Sequence, residues 1–208
     1  MLSRYFVEDL RGHAPTLLVD YLDLATDTPP HVTAVFAGAA YTPEGERTAV
    51  MYQALAVSDA LCARLLAADA LVFAMPMYNF GMPSTFKAFV DAIVRQGVTY
   101  HVMPDGRYIG ALGGRRVLFL TTRGADLRHG SPLAGMDALT PSLRAAFGFI
   151  GVDDPVFVDA QPVQFVEAQA REMALERARA ELSDLARAWT LGALRSPVLG
   201  SGEAVRAA

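Results

Sequence analysis

Residues 70 to 95, ALVFAMPMYNFGMPSTFKAFVDAIVR, leave the chain little choice of fold. Ala70 to Met75 is apolar, too short for a membrane span and of the length of a buried strand. Pro76 closes the run because it has no N–H to give to a ladder. Met77-Tyr78-Asn79-Phe80-Gly81 then sets an aromatic on each side of an amide. Ser84 is the expected N-cap of a helix in which Phe86, Phe89, Val90 and Ile93 recur at helical spacing. The order is buried strand, aromatic loop, helix. In an open α/β sheet, the loop leaving a strand's carboxyl end is where ligands bind.

The flanking chain repeats this alternation. Met1 to Arg11 reads as a helix stopped by Gly12, and Thr16 to Leu24 as a strand. Ala25 to Pro43 is a loop with an apolar patch at Val32 to Phe36, and Thr48 to Ala68 is a helix striped by Met51, Leu55, Leu61 and Leu65. Tyr100-His101-Val102 and Tyr108-Ile109 flank the turn signal Pro104-Asp105-Gly106, which predicts a hairpin. Arg116 to Thr121 and Pro155 to Asp159 are further short buried strands, separated by an apolar helix over Leu139 to Phe149. Val166 to Thr190 is a long amphipathic helix with a solvated Glu/Arg face, and residues 191–208 form a weakly ordered tail. With 208 residues and no linker, residues 1–190 make one domain. Short continuous apolar strands between helices specify a parallel sheet covered on both faces.

A net charge of −4 gives no reason to expect a nucleic-acid or membrane partner. No uninterrupted apolar run spans a bilayer and no leader precedes the first helix, so a cytoplasmic protein is expected. The single Cys62 excludes an intrachain disulfide; it reads as a small buried hydrophobe. His13, His31, His101 and His129 show no metal-ligand spacing, and neither a Walker nor a G-x-G-x-x-G motif occurs. Exposed Met77, Tyr78 and Phe80 beside backbone donors and the Asn79 amide suit a flat heterocycle with a polar edge. The alternative is that Tyr78 and Phe80 only plug the sheet edge.

Several segments together carry a resemblance. Pro76 with Met77-Tyr78-Asn79-Phe80, Lys87, Gly97-Val98-Thr99-Tyr100, Thr122-Arg123-Gly124, Leu139-Thr140-Pro141 and Phe147-Gly148-Phe149-Ile150-Gly151 resemble the FMN-dependent NAD(P)H azoreductases and quinone reductases, in the same order. The resemblance implies a flavodoxin-like open parallel sheet. It also implies FMN as cofactor, NADH or NADPH as hydride donor, and quinones or azo compounds as acceptors. Met77, Tyr78, Asn79 and Phe80 would line the isoalloxazine, and Thr122, Arg123 and Gly124 would hold its pyrimidine side. Phe149 and Tyr100 would border the substrate, some of this across the interface of a symmetric homodimer. The apolar helix over Leu139 to Phe149 is the expected dimer contact.

The resemblance further implies a central strand and a serine-rich phosphate loop ahead of the first helix. Met1 falls where that loop should just have ended, so a strand of ~5–6 residues with its loop, on the order of twenty residues in all, is expected upstream. A histidine usual after the Arg-Gly-Gly of the family is replaced by Leu127; His129 is displaced and takes no catalytic role. Two other readings stand beside the enzyme: a remnant or binding protein that holds FMN weakly or not at all, and a related NADPH:FMN reductase.

Overall fold

The computed structural model describes residues 2–191. Of the tail expected over 191–208, Leu191 is the last residue of a helix and residues 192–208 lie outside the described residues. The central sheet contains β1 (Ala70–Pro76), β4 (Arg116–Thr122) and β5 (Val156–Ala160), parallel and in that spatial order. A separate antiparallel hairpin is formed by β2 (Tyr100–Val102) and β3 (Tyr108–Gly110). The helices are α1 (Leu2–His13), α2 (Ala34–Tyr41), α3 (Ala49–Ala67), α4 (Ser84–Ile93), α5 (Leu139–Phe149) and α6 (Ala168–Leu191).

The strands alternate between two cores, as a pleat with period two requires. Leu118, Leu120, Val158 and Ala160 turn to one face, where Phe6 and Leu10 of α1 meet Ala178, Leu182, Ala186 and Trp189 of α6. Phe6 meets Trp189 edge to face at 5.5 Å. On the other face Leu71, Met75, Val117 and Phe119 pack against α3, α4 and α5. Cys62 is fully buried there, and burial pushes its thiol up to about 11, which makes it a hydrophobe and not a nucleophile.

Several sequence expectations are corrected. Residues 16–24 form no strand, and Leu18 is 94% exposed. A strand is held by a ladder, and no described strand lies alongside this segment or along the outer edge of β1. Asp20 and Tyr21 are instead tied to Arg64 of α3. The apolar patch at Val32–Phe36 opens α2, capped by Thr33 Oγ1 on the Phe36 amide at 3.1 Å. Helix α1 continues through Gly12. Ser84 is the first residue of α4 and its side chain caps nothing; Pro83 precedes it. Leu139, Leu143 and Phe147 of α5 are fully buried in the subunit's own core, which leaves Pro141, Ala145 and part of Phe149 as the accessible apolar surface of that helix. Among the described helices only α3 has the length and apolar content of a membrane span. Gln53, Ser58, Asp59 and Arg64 interrupt it, and Leu55, Leu61 and Leu65 join the core.

The hairpin packs on the end of α5 through two glycines. A Cβ on Gly110 would lie 2.0 Å from the Gly151 nitrogen, and Gly151 itself has a φ of +99°. Backbone cannot yield as a side-chain tip can. Gly110→Ala should therefore destabilise the protein by about 1–3 kcal/mol or more. Urea unfolding measures this; a cost near zero would show that the hairpin is not seated as described.

Candidate active site

The register of the sheet brings three loops together at its carboxyl edge. Met77 N donates to Thr122 O at 2.8 Å, and Arg123 N donates to Ala160 O at 3.0 Å. Beyond β5, Val163 N and Gln164 N donate to Arg123 O and Gly124 O, both at 3.0 Å. Gly124 is close-set: a Cβ there would meet Gln164 Oε1 at 2.9 Å. Among the described residues the Gly124 and Ala125 amides have no hydrogen-bond acceptor, so both are available at the lip.

The aromatic loop is a tight reverse turn. Tyr78 N donates to Gly81 O at 3.0 Å and Gly81 N to Tyr78 O at 2.9 Å. The two central residues, Asn79 and Phe80, have φ of 46° and 68°. Asparagine tolerates this left-handed region; phenylalanine does so only under strain of about 1–3 kcal/mol. Such strain persists only where the surroundings enforce it. The enforcing contacts are Met77 on Thr122 and Ala138 N on Phe80 O at 3.0 Å. The turn presents Tyr78 at 60% and Phe80 at 40% exposure, and Asn79 between them is exposed.

A cleft of about 540 Å³ opens beside this edge, between the start of α1 and the ends of β1 and β4. Its polar lining is Ser3, Arg4, Tyr5, Glu8, Thr122 and Arg179, so it carries two guanidinium groups and one carboxylate. Arg179 also pairs with Glu172 at 2.8 Å. The first turn of α1 carries no acidic residue. A helix start with two guanidinium groups suits a phosphate, and the volume is that of a cofactor pocket. The exposed aromatic turn, the free amides and the cleft thus share one edge of the sheet.

The structure places the expected residues differently from one another. Met77, Tyr78, Asn79, Phe80, Thr122 and Gly124 share the carboxyl edge. The Arg123 side chain turns away from it and is only 2% exposed. Its Nη1 meets Asp137 Oδ2 at 2.7 Å, Nη2 meets Asp159 Oδ1 at 3.1 Å and Thr140 Oγ1 at 2.8 Å, and Nε donates to Thr121 Oγ1 at 3.0 Å. A guanidinium so committed has little left for a ligand. Tyr100 and Phe149 lie elsewhere, in an aromatic cluster with Tyr108, their rings 4.6 Å apart. At ~1.5 Å rise per residue, α5 holds Phe149 about 15 Å from Leu139 beside the turn. Leu127 is core, its amide donating to Gln161 Oε1, and His129 sits exposed in the following loop.

Asp137 is the residue that sequence reasoning missed. Its Oδ1 accepts from the Leu139 and Thr140 amides, both at 3.0 Å, and so caps α5. Burial would raise its carboxyl, but the bonds from Thr140 and Arg123 outweigh burial and hold it below the ordinary carboxylate value. A depressed carboxylate adds stability above that ordinary value and loses it as the pH falls through the depressed one. An aspartate two residues before an apolar helix was a visible capping signal.

The sequence matches the flavodoxin-like fold family over residues 1–185. An FMN-dependent NADH:quinone oxidoreductase from Nostoc punctiforme is 39% identical over 188 residues, 90% of each chain. One of the same name from Bordetella petrii is 40% identical over 179 residues, covering 86% of this chain and 84% of that one. Among solved structures, an azoreductase from Bacillus anthracis superposes with a TM-score of 0.82 at 22% identity, over 90% of this chain and 89% of that one. An FMN-dependent NADH-azoreductase from the same species, in complex with FMN, gives 0.76 at 20% identity, over 91% and 90%. The fold is that of a flavodoxin-like α/β protein. The chain belongs to the flavodoxin-like family that includes the FMN-dependent NADH:quinone oxidoreductases.

The Arg123 network has a measurable weight. Removing one partner of a buried pair strands the other charges, so Arg123→Met should cost about 3–5 kcal/mol at neutral pH. The same change at Arg128, whose pair with Asp126 is exposed, should cost about 1 kcal/mol or less. Equal, small costs in urea unfolding would mean that Arg123 is not buried among carboxylates.

Proposed function

We propose that this chain is an FMN-dependent NADH:quinone oxidoreductase that also accepts azo compounds. The observation that carries the reading is the strained Tyr78–Gly81 turn, held at the sheet's carboxyl edge beside the cleft that Arg4 and Arg179 line. Bound FMN would supply the redox chemistry, taking hydride from NADH and passing electrons to the acceptor. Met77, Tyr78 and Phe80 would cover the isoalloxazine, and the Asn79 amide would meet its polar edge. Thr122 and the Gly124 amide would hold the pyrimidine side, with Arg123 serving by its backbone. Ser3, Arg4 and Arg179 would face the phosphate. The protein's part is to stack, orient and exclude water, which accounts for the lack of an acid–base pair among these residues. The protein would work in the cytoplasm.

The experiment is to add FMN to the purified protein, record its visible spectrum, and follow NADH oxidation with a quinone. Bound flavin and acceptor-dependent turnover are expected. Asn79→Ala should leave the flavin edge underpaired by roughly 1–3 kcal/mol and weaken FMN binding on the order of ten- to a hundredfold. Failure to bind FMN at all would favour the remnant reading. Unchanged affinity in Asn79→Ala would leave the turn as a plug.

We further infer a homodimer, with the exposed apolar residues of α2 and α3 as its main contact. Val50 (62% exposed) and Val57 lie two turns apart on α3, and Val35 and Tyr41 are exposed on neighbouring α2. An exposed apolar surface over two adjacent helices is a partner surface. Tyr100 and Phe149, far from the aromatic turn of their own subunit, could then reach a substrate only in the partner's site. Light scattering should report a dimer for the wild type and a monomer for Val50→Glu with Val57→Glu. A monomeric wild type that still reduces quinone would refute it.

A further inference from the structure

We propose that Asp137, fixed by the buried guanidinium of Arg123, is a positioning residue that holds the Tyr78–Gly81 turn in its left-handed form through the N–H of Ala138. Three observations form one chain of contacts. Arg123 joins the end of β4 to Asp159 of β5 and to Asp137 ahead of α5. Asp137 spends one oxygen on Arg123 and Thr140 Oγ1 and the other on the first amides of α5. That leaves the intervening Ala138 with no freedom to rotate, and its N–H lies 3.0 Å from Phe80 O. Phe80 is the residue whose φ of 68° its own side chain disfavours. The turn is therefore held from outside, by a carboxylate that itself touches no ligand.

The arrangement makes a residue remote from the ligand set the shape of the surface the ligand meets. It rests on the flavin reading only for its effect on FMN; the contact chain itself can be tested without flavin. Ala138→Pro removes the donor and puts a ring where Phe80 O now sits. The local backbone angles suit proline, so the change acts on the contact with Phe80 O: Ala138 has φ −93°, within about 30° of proline's own value, and Asp137 is extended (φ −71°, ψ 95°) as a residue before proline must be. Asp137→Asn keeps the cap's acceptor and removes the charge opposite Arg123.

The readout is amide hydrogen exchange of Gly81, whose N–H closes the turn on Tyr78 O. In flavin-free protein, each variant should lower Gly81 protection by about tenfold or more while the Phe119 amide of central β4 keeps its own. In the presence of FMN, each should raise the dissociation constant about tenfold, and the double variant no further than the worse single one, because both act through one bond. Should Ala138→Pro fold poorly, Asp137→Asn carries the exchange test alone. Wild-type protection at Gly81 in the folded variants, or FMN effects that multiply in the double variant, would overturn the proposal. A wild type that binds no FMN would defeat the enzyme reading while the Gly81 exchange still decides this one.

Discussion

Three phenylalanines set the geometry on which the rest depends. Phe73, Phe119 and Phe157 are register partners across β1, β4 and β5. Their rings stack at 5.3 and 5.0 Å, with interplanar angles of 21° and 26°. Phe147 of α5 closes on this row at 4.8 Å from Phe73 and 4.9 Å from Phe119. Because strand side chains alternate, a slip of one residue would send this row to the opposite face, against α1 and α6. The aromatic row thus fixes register, and register fixes where the strands end. The bonds from Met77 to Thr122 and from Arg123 to Ala160 continue the same ladder past the strand ends. Loops from distant parts of the chain meet at one edge because of side chains in the middle of the sheet.

The buried ionic group near that edge belongs to a different economy from the aromatic row. An Arg among two aspartates is no cheap source of stability, since desolvation offsets much of the attraction. What it contributes is direction: its contacts, at 2.7 to 3.1 Å, run to Thr121, Asp159, Asp137 and Thr140, each at a different place in the fold. The protein places this group between β4, β5 and α5, where the relative position of three loops matters most.

What could be read from sequence followed the range of the determining contacts. Strands β1, β4 and β5 were legible as continuous apolar runs between turn residues, and α5 was legible by period. Residues 16–24 misled because their apolar content is real; only the lack of a ladder neighbour keeps them from being a strand. Helix α2 was hidden because Ala34–Tyr41 is apolar all round and shows no period, although Thr33 stood at its cap. At the site, the aromatic turn was visible in Met77–Gly81. The inward direction of Arg123 was not, since it depends on Asp137 and Asp159, each supplied by a separate later element. The apolar content of α5 did not reveal which neighbour it serves: Leu139, Leu143 and Phe147 turn out to serve the subunit's own core.

The outer edge of β1 has a meaning beyond the site. Along Ala70–Pro76 the bonded side faces β4, and no described strand takes up the other. An edge of this kind is a template: any extended segment that reaches it gains a row of backbone hydrogen bonds in place of water. Natural sheets blunt such edges with lysine, a bulge or a short length; β1 has seven residues, no charge among them, and only the terminal Pro76 as a stop. An uncharged edge of seven residues is built for pairing rather than for solvent, and an extended segment laid along it would continue the ladder that Phe73 registers on β4.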